Sequence, residues 1–497
     1  MSLDELRQLR LAKIAHLRER GVNPYPERFA RTHTLAAARA LPVGTLGVAI
    51  AGRLKLIKKM GKLTFAWLHD VEGAIQISLR INDLPDGAYA LFGESCDEGD
   101  FIGVTGELYT TKTGELTLKV ATWTFLGKAV LPMPEKWHGL ADPETCYRQR
   151  YLDLVSSDET KRRFLLRSRV VAAIRRVLDR AGFLEVDTPV LCDKPSGALA
   201  RPFLSHHNAL DMPVVMRIAP ETYLKRCVVG GFDRVYEFAR CFRNEGIDAS
   251  HLQDFTMLEF YASYWSYEDN MRFTEELIEE VATAVLGSTS FEREGHAISF
   301  ARPYPRASFS ELILRDSGIE LAAFPTADAL RAEIHRRNLP LDRAEIAKLG
   351  LGNLTDQLYK KVSRPKLVQP TFLTGHPIEL SPLARRNDTN PTIADRFQLV
   401  VAGWEVVNAY SELVDPVDQR ARLVDQAQAR TGGDEEAMPL DEDYLLAMEH
   451  GMPPISGWGM GIDRFVALLA GVHNLKDVVL FPLLRPLRSE EPSAAEA

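Results

Sequence analysis

Cysteine is scarce: there are five in 497 residues, Cys96, Cys146, Cys192, Cys227 and Cys241, and none forms a CxxC pair. An odd, scattered set excludes a disulfide framework or a thiolate zinc site and points to a reducing, cytoplasmic setting. Long apolar runs are missing as well. The best, Phe465 to Val472, is about half the ~18 residues needed to span a bilayer, so no membrane association is expected. The N-terminus, MSLDELRQLR, carries charge where a signal peptide needs an apolar centre. No internal repeat is present. Positive charge is also in deficit, 60 Lys and Arg against 68 Asp and Glu for a net −8, which at first speaks against nucleic acid.

That deficit is uneven. Residues 1–130 hold 17 basic against 14 acidic side chains, leaving 43 against 54 for the remainder, and Arg53–Lys62 has five basic residues and no acidic one. The rest of the composition, 45% hydrophobic and 26% charged, is that of a globular chain and excludes extended disorder. At roughly 100–200 residues per domain, this length predicts two to four domains.

Residues 3–20 read as a charged amphipathic helix, with Leu3, Leu6, Leu9, Ile14 and Leu17 near helical spacing. Between 46 and 128 the pattern changes to five short alternating or β-branched runs separated by EG, DG and TKTGE turns. Five strands in about 80 residues suggest a small closed barrel of OB-fold type; a plain β domain without a ligand fits the pattern too. Residues 131–155 are rich in proline and polar groups and read as a linker or hinge. Lys161 to Ala181 follow as a strong helix, ended by Gly182, and then a strand containing Pro189. Beyond it, strands and helices alternate without a regular βαβ rhythm, so an α+β domain on an antiparallel sheet is expected over 156–488. Residues 489–497 read as a disordered tail.

Three stretches carry chemistry. Arg234–Tyr261 contains two strand-like runs around a polar turn, GIDASHLQ, that includes His251. Alternation puts Arg243 and Glu245 on one face of the first run, and Phe255, Glu259 and Tyr261 on one face of the second. If the faces coincide, they form a binding floor; a solvated hairpin face is the alternative. In WEVVNAYSELVD, alternation aligns Asn408, Tyr410 and Glu412 on an otherwise apolar strand, opposite Glu405. Buried there, the Asn and Glu need partners, either a cationic ligand or a structural salt bridge. Third, GWGMGIDRFVALLAG spaces Gly457, Gly459 and Gly461 before a helix with Arg464 in its first turn, an arrangement suited to phosphate. It matches neither GxxxxGK[ST] nor a strand-linked GxGxxG, so P-loop and dinucleotide readings fail.

Together these stretches resemble the signature motifs of the class II aminoacyl-tRNA synthetases. The helix and strand ending in Pro189 resemble the first motif, FRNEG…H…FTMLE the second, and GMGIDR the third. Linking stretches extend the resemblance, in order, from about residue 46 to 487 and make it closest to the bacterial-type lysyl-tRNA synthetases. These are RPFLSHHNALD, RIAPETYLKRCVVGGFDRVYE, SPLARRNDTNP, NAYSELVDP, DEDYLLAMEHGMPP and VVLFPLLRP, with MGKLTF and KTGELT in the front region.

The resemblance implies an enzyme that joins L-lysine to tRNA(Lys) through a lysyl-adenylate, with ATP as co-substrate and Mg2+ as cofactor. Arg243 would hold the α-phosphate and, with Arg464, form the catalytic pair; Glu245 would meet the adenine amino group and Phe255 its ring. His251 and Arg464 would touch the outer phosphates. Gly197, Glu221, Glu259, Tyr261, Asn408, Tyr410 and Glu412 would line the lysine pocket, with Glu221 and Glu412 as partners of the ε-ammonium. The first motif, around Pro189, would form a homodimer interface. The front barrel would bind the anticodon through Lys58, Phe65, Gln76 and Glu115. Phe65 shares strand parity with Leu63 and Trp67, so a core position is its alternative.

Three positions depart from the family pattern. Leu252-Gln253 follows His251 where Asn-Pro is common. Gln398 stands where a metal-binding carboxylate is common, leaving Glu405 as the acidic member of that pair. Tyr410 replaces a common Phe. The competing readings are a sister aspartyl- or asparaginyl-type synthetase, a synthetase-like RNA-binding protein, and a protein-lysylating paralogue.

Overall fold

The structure is a computed structural model that describes residues 2–133, 140, 142–431 and 437–487. The chain divides into two compact units, Met1–Lys161 and Arg162–Ala497. The tail at 489–497, and residues 134–139 and 141 of the expected linker, lie outside the described residues.

The first unit opens with helix α1 (Leu3–Glu19), started by a capping box in which the Glu5 N–H donates to Ser2 Oγ and the Ser2 N–H to Glu5 Oε2. Only its second half is anchored: Ile14 and Leu17 are buried, whereas Leu3 and Leu9 are exposed. Five strands follow, β1 (Val48–Met60), β2 (Leu63–His69), β3 (Ala74–Arg80), β4 (Phe101–Thr110) and β5 (Leu116–Gly127). They close into a barrel in the order β1-β2-β3-β5-β4, all pairs antiparallel except β3 with β5. Ile50, Leu54, Ala66, Leu68, Ile77 and Val104 are among the side chains that fill it. The stretch expected as a linker contains two short helices, Pro143–Arg148 and Arg150–Ser156. Asp142 caps the first, accepting the Thr145 N–H at 2.8 Å.

A long helix, α2 (Asp158–Arg180), begins in the last residues of the first unit, continues as the start of the second and precedes Gly182, whose φ of 78° suits a chain leaving a helix. Eight strands make the sheet: β6 (Leu184–Glu185), β7 (Arg234–Phe242), β8 (Asp254–Ser263), β9 (Arg306–Ser308), β10 (Thr371–Thr374), β11 (Arg396–Val401), β12 (Trp404–Ser411) and β13 (Ile455–Gly461). Their order is β9-β10-β11-β12-β13-β8-β7-β6, antiparallel except at the two ends. Four further helices bear on the site: α3 (Glu221–Val229), α4 (Tyr267–Leu286), α5 (Glu442–Glu449) and α6 (Ile462–Leu469).

One face of the sheet is covered by α2, α4 and α6 around Val170, Ile174, Phe260, Leu277, Trp458 and Phe465. Phe260 and Trp458 stack at 4.8 Å across the paired β8 and β13. A helical segment over 309–362 packs its own core against Leu373 and Val400 of β10 and β11. Two sequence expectations change here. Pro189 lies outside any strand, in exposed chain between Leu184–Glu185 and the short strand Leu191–Cys192. The first run of the second motif stops at Phe242, so Arg243 and Glu245 lie beyond the strand.

Candidate active site

The open face of the sheet carries a cavity of about 350 Å³. One end is cationic. Arg243 follows directly on β7, held by its N–H to the Gln253 carbonyl at 2.9 Å, and its guanidinium lies 5.2 Å from the centre of the Phe255 ring. Its Nε is buried without a hydrogen-bond partner, an arrangement that is costly unless a ligand completes it. Arg464, in the first turn of α6, spans two walls: its Nη1 donates to the Glu405 carbonyl at 3.3 Å and its Nε lies 3.4 Å from the Ser250 carbonyl. Burial lowers the pKa of Arg464, Glu405 raises it, and an arginine remains charged throughout the physiological range. Its neighbour Asp463 is structural, accepting Arg167 Nη1 at 2.5 Å and the Thr256 N–H at 2.8 Å, which locks α6 to α2 and β8.

The loop between β7 and β8 closes this end. His251 Nδ1 lies 2.8 Å from Asp248 Oδ2, so the ring is held by its own loop while lining the cavity. The departure after it is accommodated locally: Leu252 packs on the main core, and Gln253 donates to the Gly246 carbonyl at 3.1 Å. Glu245 lines the cavity from the exposed part of the loop.

The other end is acidic. Glu221 opens α3, and Gly197 is pressed against it: with φ at 83°, a Cβ there would lie 2.8 Å from that of Glu221. Glu259 is buried, and burial together with the charge of Glu221 pushes its carboxyl up to about 8. Tyr261 Oη donates to Glu259 at 3.3 Å, and Tyr410 Oη to Glu221 at 2.8 Å. The hydroxyl that distinguishes Tyr410 from a Phe therefore has its partner. Asn408 presents its carbonyl to Arg396 Nε at 2.8 Å, which turns its amide donors elsewhere.

The structure corrects the face of Glu405. Glu405 pairs with Val400, but Val407 pairs with Leu399, so Val406 is an extra residue in β12. This bulge reverses the alternation and puts Glu405 on the same side as Asn408, lining the cavity. Gln398 pairs with Asn408 but is not among the cavity's lining residues. Glu412 is set behind the wall, fully buried, with Oε2 2.5 Å from Lys225 Nζ. Its Oε1 has no hydrogen-bond partner and faces Gly457, a lining residue where a Cβ would overlap it.

Lys225 and Arg396 escaped the sequence reading. Glu221 and Lys225 stand four apart on a helix, the spacing of an ordinary surface ion pair, so nothing distinguished them. Arg396 precedes an apolar strand and looks like a solvated terminus.

Residues 142–485 match the family described as tRNA synthetases class II (D, K and N), and residues 48–126 match the OB-fold nucleic acid binding domain. The chain belongs to the class II tRNA synthetases. Similar proteins include a lysine–tRNA ligase of Pelotomaculum thermopropionicum, 46% identical over 97% of this chain and 96% of the relative. That of Carboxydothermus hydrogenoformans is 46% identical over 97% and 99%, and that of Escherichia coli O157:H7 is 43% identical over 96% of each.

On the barrel of this synthetase, Lys58 pairs with Phe65, and Trp67 with Gln76, so all four share one outer face. Phe65 and Trp67 are half-exposed and absent from the barrel core, which removes the core alternative for Phe65. Lys58 is exposed, with Nζ 5.8 Å from the centre of the Trp67 ring. Gln76 is 7% exposed, and its Oε1 accepts from Thr117 at 2.7 Å. Glu115 stands exposed at the turn before β5.

The site fits a magnesium ion through a single carboxylate. Among the described residues no group of three or more His, Cys, Asp or Glu side chains is arranged to hold a metal ion. Glu405 faces the cavity beside Arg464 and makes no ion pair among the described residues. One carboxylate, with phosphate oxygens and water, suits that ion.

Proposed function

We propose that this synthetase activates L-lysine with ATP and transfers it to tRNA(Lys). The observation that carries this reading is a single cavity with Arg243 and Arg464 at one end and Glu221 and Glu259 at the other. An adenine stacks on Phe255, with Glu245 at its amino group. Arg243 takes the α-phosphate, and His251 and Arg464 take the outer phosphates. Magnesium held by Glu405 offsets phosphate charge when bound.

Lysine lies along the carboxylate end, between Gly197 and Gly457, with Asn408 and Tyr261 beside it. Its carboxylate attacks the α-phosphorus in line and pyrophosphate leaves; the terminal ribose hydroxyl of the tRNA then attacks the adenylate carbonyl, loses its proton and displaces AMP. No protein nucleophile is required. The work of the chain is placement and the stabilisation of charge at phosphorus by Arg243. Acidic or neutral amino acids are rejected because they leave buried carboxylates unpaired, at a cost of about 3–5 kcal/mol.

The barrel face with Phe65 and Trp67 receives the unstacked bases of the anticodon. The exposed Leu184, Val190 and Leu191 around Pro189 support a homodimer interface. No helix among the described residues is long and apolar enough to cross a membrane, and Cys96, Cys192, Cys227 and Cys241 are free thiols, which supports a cytoplasmic enzyme. The test is ATP–pyrophosphate exchange with single amino acids, followed by charging of tRNA transcripts. Exchange dependent on lysine and charging of tRNA(Lys) are expected. Exchange with aspartate or asparagine but not lysine would reject the reading.

A further inference from the structure

The carboxylates of the amino-acid pocket already hold an ammonium that belongs to the chain. Lys225 Nζ lies 2.5 Å from Glu221 Oε1 and 2.5 Å from Glu412 Oε2, and its side chain is fully buried. The rings of Tyr261, Tyr410 and Tyr444 surround it with centres 5.7–5.8 Å away. Lys225 does not line the cavity, so it is a fixture of the wall and not an occupant of the site.

We propose that Lys225 is a positioning residue that fixes Glu221 and Glu412 and sets the net charge of the pocket to match an amino acid bearing two ammonium groups. Burial pushes the Glu259 and Glu412 carboxyls up, and incoming ammonium groups favour their ionised forms. Once all three carboxylates, Glu221, Glu259 and Glu412, are ionised around the bound substrate, one resident ammonium leaves two negative charges. A substrate such as lysine brings two positive charges at its amino ends, while Arg243 faces its carboxylate. The resident ammonium also directs each partner. It takes one oxygen of Glu412 and leaves the other against Gly457, a residue of the cavity wall, with no hydrogen-bond partner among the described residues. Burial alone would depress Lys225, but Glu221 and Glu412 outweigh it and hold the group charged. This inference rests on the lysine reading.

The test is Lys225→Met, with Lys225→Arg as the variant that keeps the charge, in lysine-dependent ATP–pyrophosphate exchange across pH. In Lys225→Met the KM for lysine should rise by about a hundredfold or more, with the KM for ATP within about twofold. The acidic limb of kcat/KM for lysine should also move to higher pH. The groups facing Lys225 are Glu221 on its own helix, Glu412 and Tyr410 from β12 and its end, Glu259 and Tyr261 from β8, and Tyr444 from α5. Without the ammonium Glu259 and Glu412 ionise later, because Lys225 holds both down; a merely structural role would leave the limb in place. If Lys225→Met does not fold, Lys225→Arg decides: its limb must coincide with that of the wild type, and a displaced limb overturns the proposal. An unchanged lysine KM in folded Lys225→Met, or equal losses for lysine and ATP, also overturns it. Absence of lysine-dependent exchange in the wild type would instead reject the lysine reading itself.

Discussion

Gly457→Ala tests how tightly the amino-acid end is built. A Cβ at 457 would overlap Glu412 Oε1 and the Tyr261 ring, whose Cδ1 lies 3.0 Å from the Cβ position. Relief requires a retreat on the order of 1 Å, since ordinary carbon contacts begin near ~3.5 Å. Glu412 has nowhere to go, because it is 2% exposed and its other oxygen is tied to Lys225 at 2.5 Å. Overpacking of this kind costs about 1–3 kcal/mol. If the strain falls on the bound pocket, kcat/KM for lysine drops roughly 5- to 150-fold, at 1.4 kcal/mol per tenfold. The internal control is Gly459→Ala on the same strand, where the nearest atom, Glu259 Cγ, is at an ordinary 3.5 Å. Exchange kinetics with lysine and with ATP varied separately, beside thermal melts, read the result. The reasoning expects a lysine-specific defect in Gly457→Ala and little change in Gly459→Ala. Equal defects in both, or a normal lysine KM in Gly457→Ala, would refute it.

Arg243→Ala should reduce adenylate formation by about 10²–10³-fold while tRNA binding, measured by filter retention, persists; unaffected exchange would remove Arg243 from the α-phosphate. Phe65→Ala should weaken tRNA charging by the ~1–3 kcal/mol of one stacked base and spare pyrophosphate exchange, whereas matched losses in both assays would indicate a structural role. Glu259, pushed up to about 8, keeps its proton at neutral pH, and an incoming ammonium favours the ionised form. Lysine kcat/KM should therefore climb as pH rises through about 8, and Glu259→Gln should flatten that rise. A profile already flat in the wild type would place the proton elsewhere.

Alternation made the barrel and most of the site legible. Leu63, Phe65 and Trp67 face outward and Thr64, Ala66 and Leu68 inward because a strand repeats every two residues, and composition follows that period. Features that depend on a neighbour were not legible. The pattern of β7 runs on to Glu245 in sequence, yet the ladder stops because the loop 246–253 offers only the Gln253 carbonyl to Arg243. Gln76 is covered on that outer face by its cross-strand partner Thr117, a residue 41 positions away. Lys225 looks like a surface partner of Glu221 until Glu412 and three tyrosines arrive from other elements.

The extra residue in β12 also bears on how this strand can be altered. A single chain segment presents Asn408 and Tyr410 in one phase and Glu405 in the other, and Val406 is the half-step that reconciles them. Removing Val406 would restore a regular ladder and leave Glu405 where it stands, opposite Val400 and on the cavity side with Asn408. Pairing the same sequence as a regular ladder, with Val406 in register, would instead turn Glu405 to the apolar side while Asn408 and Tyr410 stayed at the cavity. Glu405 and the Asn408–Tyr410 pair are thus joined by a phase slip, and one further residue inserted between them and not absorbed by the bulge would uncouple their faces.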